Sequence, residues 1–184
     1  MNIPKKISEK VVSSNPYLKV SEKIYLDDFG KKSSFLITGH NKKKTIGTFI
    51  LPITSDNKVI YLKEYRYGPE KYVINFPVGI LEDDISEIEN CKRELKEETG
   101  YISEKIEFLG ESIVENYFEG KVTYYMAYNC KKTSEAKLEK GENIKVYTST
   151  IYEFEKMILD GKVLSSKTAF CFLLAQKKGL LSNL

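Results

Sequence analysis

The sequence predicts an α+β fold, with strands first, then a helix, further strands and finally two helices. Three observations carry this reading. Two apolar runs rich in β-branched and aromatic residues, 46–53 and 58–65, flank Thr54-Ser55-Asp56-Asn57, which is a hairpin pattern. A helix with both ends marked follows, opened by Ser86-x-x-Glu89 and stopped by Gly100. Strand and helix signals do not alternate as βα units, which argues against a doubly wound parallel sheet. A chain of 184 residues, 41% hydrophobic and 30% charged, has enough apolar material for a real core.

Each element has a local reason. Residues 1–45 are rich in lysine and serine, with short alternations at 17–20 and 34–38 that read as strands. Asp27-Asp28-Phe29-Gly30 and Gly39-His40-Asn41 are the turns between them. Lys42-Lys43-Lys44 reads as a solvated hairpin tip. Residues 72–77 form another short run, closed by Pro77 before Gly79. In the helix from Ser86 to Gly100, Ile88, Cys91 and Leu95 share one face. Residues 106–109, 113–115 and 122–128 read as strands, 131–143 as a polar loop, and 144–147 as a short strand. Thr150-x-x-Glu153 opens a second helix with Ile151, Phe154, Met157 and Ile158 on its apolar face and Gly161 beyond its end. A last helix spans 168–178.

Composition narrows the function classes. The formal charge is only +3, and no long basic stripe points to nucleic acid. No run of about 18 apolar residues predicts a membrane span, and the first residues lack a signal-peptide core. Three scattered cysteines, Cys91, Cys130 and Cys171, form no CxxC pair, so neither a disulfide framework nor a thiolate metal site is expected, and a cytoplasmic location is. Cys91 falls on the apolar face of its helix and reads as core. One histidine, His40, argues against a histidine metal cage or a Ser-His-Asp triad. The chemistry expected is therefore carboxylate chemistry.

Its place is the helix after Ser86. Glu94 and Glu98 lie four apart on one face, with Glu97 beside them. Like charges at that spacing repel, and the C-terminal end of a helix disfavours negative charge. A divalent cation between the carboxylates removes both penalties, and oxygen ligands suit Mg²⁺ or Mn²⁺. Arg93 and Glu97 have the i,i+4 spacing of an ion pair. The plainer alternative is a solvated charged face.

A longer pattern adds to this. Gly79, thirteen residues, and then Arg93-Glu94-Leu95-x-Glu97-Glu98-x-Gly100-Tyr101 resembles the signature of the Nudix hydrolases, with Ile85 where that pattern carries a first glutamate. The segment 56–67, which contains Glu64-Tyr65-Arg66, resembles the branch that cleaves ADP-ribose and nucleoside diphosphate sugars. So does Asn75-Phe76-Pro77-Val78-Gly79, with Asn75 where glutamate is usual, and so do residues 142–169. The resemblance implies a Nudix α/β/α sandwich with a mixed β-sheet and an N-terminal β extension. It implies an N-terminal β region at 1–45 that helps form a homodimer, and a hydrolase domain at 46–184.

The same resemblance implies Mg²⁺- or Mn²⁺-dependent hydrolysis of ADP-ribose or a related nucleoside diphosphate sugar to a nucleoside monophosphate and a sugar phosphate. Glu94, Glu98, Glu142 and the carbonyl of Val78 are the implied metal ligands. Glu97 is an adjacent ligand or orienter, Arg93 a brace, and Arg66 the phosphate clamp, since a guanidinium binds phosphate oxygens in pairs. The general base stays open among Glu139, Glu115 and Glu97, because Lys140 stands where a loop glutamate often serves. Tyr117 is a substrate-contact candidate and points toward dinucleoside polyphosphates. With Ile85, Asn75 and Lys140 lacking acids, the alternative is a Nudix fold that binds nucleotide with weak or no turnover.

Overall fold

The computed structural model describes residues 3–41, 45–81, 84–138 and 141–182. In chain order its elements are β1 (Lys5–Ser14), β2 (Leu18–Leu26), β3 (Lys32–His40), β4 (Thr45–Thr54), β5 (Lys58–Arg66), β6 (Lys71–Asn75) and β7 (Val78–Gly79). They continue with α1 (Glu87–Thr99), β8 (Tyr101–Ile102), β9 (Lys105–Glu115), β10 (Phe118–Lys132), β11 (Ile144–Thr150), α2 (Ile151–Leu159) and α3 (Ser166–Lys177). Lys42, Lys43 and Lys44, read above as a hairpin tip, lie outside the described residues, as do Glu139 and Lys140. No helix among the described residues is long and apolar enough to cross a membrane.

Two units are distinguishable, Met1–Ile46 with Ser112–Val122, and Gly47–Glu111 with Thr123–Leu184. In the first, β1, β2 and β3 form an antiparallel meander, from Ser14 opposite Lys19 to Leu18 opposite His40. The Asn15 side chain makes the first turn by accepting the Tyr17 and Leu18 amide N–H groups at 2.8 and 2.7 Å. β3 then pairs in parallel with the start of β10, Thr38 opposite Phe118. Lys23 is buried here and is neutralised by Glu119, with Glu9 at 3.7 Å.

β1 is a departure from the sequence reading, which placed no strand at 5–14. All ten of its residues are exposed, so there is no apolar alternation to read. Pairing with β2 creates it. β9 departs in another way. It runs unbroken from Lys105 to Glu115 where two pieces were expected on either side of Gly110.

The second unit is layered. β4, β5 and β11 lie side by side, with β5 antiparallel to β6 on one register and to β11 on another. β5 sends alternate side chains to opposite faces. Ile60 joins Ile50, Tyr125 and Ala127 against Cys91 and Leu95 of α1. Tyr61 faces the other way and meets Phe154 of α2, which also stacks on Phe76 and touches Phe172 of α3. A sheet covered by α1 on one face and by α2 and α3 on the other is the expected α/β/α sandwich. Burial pushes the Cys91 thiol up to about 12, as expected of a core residue.

The two capping boxes form as expected. Ser86 accepts from the Glu89 N–H while Glu89 accepts from the Ser86 N–H, and Thr150 with Glu153 repeats the arrangement. Gly100 ends α1 with φ 76°, a left-handed turn against the Ser134 carbonyl that leaves no room for a Cβ. Ile88 corrects the sequence reading: it is exposed, and Asn90 takes the buried position instead. Ser86→Ala is expected to destabilise the protein by about 1 kcal/mol. That lowers Tm by roughly 2–4 °C in a melt followed by circular dichroism. An unchanged Tm would show that the cap contributes nothing.

Candidate active site

The cap at Ser86 sets the rotation of α1. Once Cys91 and Leu95 enter the core, Glu94 and Glu98 must face β7, which packs against the helix. β7 pairs with β4, Gly79 opposite Thr48 and Val78 opposite Phe49. Gly79 carries no side chain where the carboxylate of Glu94 lies, and a Cβ there would overlap that group. Val78 donates its backbone N–H to Glu98 Oε2 at 3.0 Å. The glycine is thus a close-approach residue, and the backbone beside it meets the second glutamate.

Arg93 organises the outer side of the helix. Its Nη1 donates to Glu97 Oε2 at 2.6 Å, and its Nη2 to Glu94 Oε1 at 2.5 Å and to Asn90 Oδ1 at 3.0 Å. Asn90 in turn donates to Thr48 Oγ1 at 2.9 Å, which ties the set to β4. The expected pair between Arg93 and Glu97 is present, and Asn90 is a member that helical spacing did not single out.

The electrostatics are those of crowded acids. Burial raises the Glu94 carboxyl above its ordinary value, Arg93 opposes the rise, and Glu97 and Glu142 add to it. Glu98 is raised well above its ordinary value, first by burial and then by Glu94. The Val78 N–H works against the rise, and Glu64 and Glu142 reinforce it. Glu142 stands in the segment before β11, where its charge is felt by both helix glutamates.

That segment is held by tyrosines. Tyr67 donates its hydroxyl to the Gly141 carbonyl at 3.2 Å, Asn143 Nδ2 donates to the Tyr72 hydroxyl at 3.0 Å, and the Tyr65 N–H donates to the Asn143 carbonyl at 3.2 Å. Arg66 ends β5, its Nη2 lying 2.7 Å from Glu64 Oε1. Glu64, Tyr67 and Tyr72 were missed from sequence. The signal for Glu64 was its spacing of two from Arg66, which puts both on one face of a strand.

The remaining candidates belong to the other unit or lie outside the described residues. Tyr117 belongs to the N-terminal unit, where its ring stacks on Phe35 at 6.3 Å. Glu115 ends β9 in the same unit. Glu139 lies outside the described residues. Among the described residues no three acidic side chains are already gathered at metal-ligand spacing. The donor set nonetheless fits a hard divalent cation: carboxylate oxygens, two of them destabilised by burial and by neighbouring acids, around a glycine that leaves clearance.

Comparison with known proteins agrees with this geometry. A family model for the NUDIX domain matches residues 43–167. The "Methanol dehydrogenase activator" of Bacillus methanolicus is 31% identical over 121 residues, 65% of this chain and 65% of that protein. The chain therefore spans just under two thirds of the length of that relative. The "ADP-ribose pyrophosphatase" of Bacillus subtilis (strain 168) is 26% identical over 131 residues, 70% of this chain and 71% of that one. A solved structure described as an ADP compounds hydrolase superposes with a TM-score of 0.85 over 98% of this chain and 97% of that one. At 21% identity that likeness speaks to the fold. A glycine cradling Glu94 and acids at 94, 97 and 98 stand inside a domain match covering most of the chain, and the protein belongs to the Nudix family.

Proposed function

We propose that the protein is a divalent-cation-dependent pyrophosphohydrolase that cleaves ADP-ribose or a related nucleoside diphosphate sugar to a nucleoside monophosphate and a sugar phosphate. The observation that carries this is Glu98, buried against Val78 and raised by burial, by Glu94 and by Glu142, beside a half-buried Glu94 that Gly79 makes room for and that burial, Glu97 and Glu142 raise. Buried acids that repel one another are a poor arrangement for stability and a good one for holding a cation. The name of the B. subtilis relative supports an ADP-containing substrate.

Glu94, Glu98 and Glu142, with the Val78 carbonyl, would hold Mg²⁺, or Mn²⁺ in its place. When bound, such a cation neutralises pyrophosphate charge and acidifies a water. Arg93 keeps Glu94 and Glu97 in register along the helix. Arg66, half exposed at the end of β5, offers paired N–H donors to phosphate oxygens. Glu97 is engaged by Arg93, which favours Glu139 or Glu115 for the base. Tyr117 is proposed as a substrate contact.

The test is release of phosphomonoester from ADP-ribose, nucleotide sugars and dinucleoside polyphosphates with Mg²⁺ or Mn²⁺. Turnover of an ADP sugar is expected. Saturable nucleotide binding in calorimetry with no turnover of any substrate would instead establish a binder, the reading favoured by Asn75 at a position where an acid is usual.

Residues 1–45 are proposed to form a homodimer contact. β1 exposes Ile7, Val11 and Val12 along its length, apolar area that a second copy would cover. Sedimentation velocity should give twice the 21.2 kDa chain mass. A cytoplasmic setting fits three buried free thiols.

A further inference from the structure

The β5–β6 hairpin contains a buried acid held by a line of side chains. Glu64 and Arg66 leave β5 on the same face, being two residues apart. On β6, Asn75 pairs with Leu62, which makes it the diagonal neighbour of Glu64 on that face. Glu64 is only 6% exposed. Its Oε1 accepts from Asn75 Nδ2 and lies 2.7 Å from Arg66 Nη2. Asn75 is held in turn, because Thr168 of α3 donates its hydroxyl to Asn75 Oδ1 at 3.2 Å. The Phe76 N–H donates to that same hydroxyl oxygen at 3.4 Å. The line thus runs from the first turn of α3, through β6 and β5, to the guanidinium of a side chain that is 45% exposed.

Each link has a physical reason. A carboxylate this buried requires a cation and a donor, and Arg66 and Asn75 are those two. A second carboxylate at 75 would face Glu64 as a like charge, whereas the amide donates to it and accepts from Thr168. Arg66 has five N–H donors, so contact with Glu64 through Nη2 leaves others for a ligand. A guanidinium already held in one rotamer loses less freedom when it captures an anion.

We infer that Glu64 is a positioning residue, which through its buried ion pair holds the Arg66 guanidinium ready for the pyrophosphate of the substrate, with Asn75 and Thr168 anchoring Glu64. This rests on the reading of Arg66 as the phosphate clamp. Glu64→Gln should raise KM for ADP-ribose about tenfold and change kcat less than about threefold. Arg66→Ala should raise KM at least as much, and the double variant should match Arg66→Ala alone, because the two act as a unit. Additive effects would overturn the inference.

A second readout needs neither cation nor turnover. In ligand-free protein the Arg66 side-chain N–H signals should show slow guanidinium rotation by nitrogen NMR, and Glu64→Gln should abolish it. An unchanged Arg66 signal would overturn the inference whatever the kinetics. Loss of that signal in a protein whose wild type hydrolyses nothing would instead overturn the proposed function and leave the hold on Arg66 standing. If Glu64→Gln weakens binding of Mn²⁺ alone in calorimetry, Glu64 is a ligand and the positioning role is wrong. Should Glu64→Gln fail to fold, Asn75→Ala leaves the acid charged but unanchored, and a smaller effect of the same kind on KM and on the Arg66 signal is expected.

Discussion

Glu98→Gln is expected to lower turnover by about a hundredfold or more and, in the metal-free protein, to raise stability near neutral pH. The two effects share a cause. Glu98 is buried beside Glu94, with Glu64 and Glu142 in range, and the Val78 N–H works against these by favouring its ionised form. Its carboxyl is therefore raised well above its ordinary value. A raised carboxyl stabilises the fold fully at pH below the ordinary carboxylate range, where folded and unfolded chains are both protonated. That stability is lost as pH rises through the folded value, because the unfolded chain ionises first. Metal-free wild type should thus weaken from acid toward neutral pH. Glutamine does not titrate, so the variant's Tm should be flatter over that window. Added Mg²⁺ should raise the wild-type Tm and move the variant less. Thermal melts across pH, with and without Mg²⁺, and kcat on ADP-ribose check all of this. Matching Tm profiles for the two proteins would show that Glu98 is not the strained group.

Gly79→Ala should be nearly as severe by a steric route. Its backbone is one that alanine adopts freely, so the whole effect lies in the added Cβ, which overlaps the Glu94 carboxylate. Glu94 cannot simply swing outward, since Arg93 holds it at 2.5 Å and α1 is fixed by Cys91 and Leu95. Overpacking of this kind costs about 1–3 kcal/mol. It also moves one of the proposed ligands, so turnover should fall on the order of a hundredfold. The diagnostic is the pair with Glu94→Ala. With the carboxylate gone, alanine at 79 should cost little further stability, a non-additive cycle in denaturant unfolding. Additive losses would mean that the glycine serves the β4–β7 pairing rather than Glu94.

The parts of the molecule legible in sequence were those decided within a few residues. Both ends of α1 could be read because Ser86, Glu89 and Gly100 act on backbone groups one turn away. The i,i+4 pair of Arg93 and Glu97 follows from helix geometry alone. The Thr150–Glu153 box and the 58–65 strand were legible for the same reason. β1 was not, because every residue in it is exposed and its partner strand, not its own pattern, makes it extended. Ile88 misled because helical spacing names a stripe without saying how wide a stripe the sheet covers.

In the site the division is sharper. The sequence alone determined a helix that presents Glu94, Glu97 and Glu98 together, with Arg93 to brace them and a glycine at a set distance upstream. Spacing along one helix requires no knowledge of the rest of the chain. How deeply Glu98 is buried, and that Glu142 adds its charge to the same pair, follow from the packing of distant segments. Only the tertiary structure decided that Glu64, Asn75 and Thr168 stand behind Arg66. Those facts depend on the register of β5 against β6 and β11, and a carboxylate's ionisation is a property of its surroundings rather than of its neighbours in sequence.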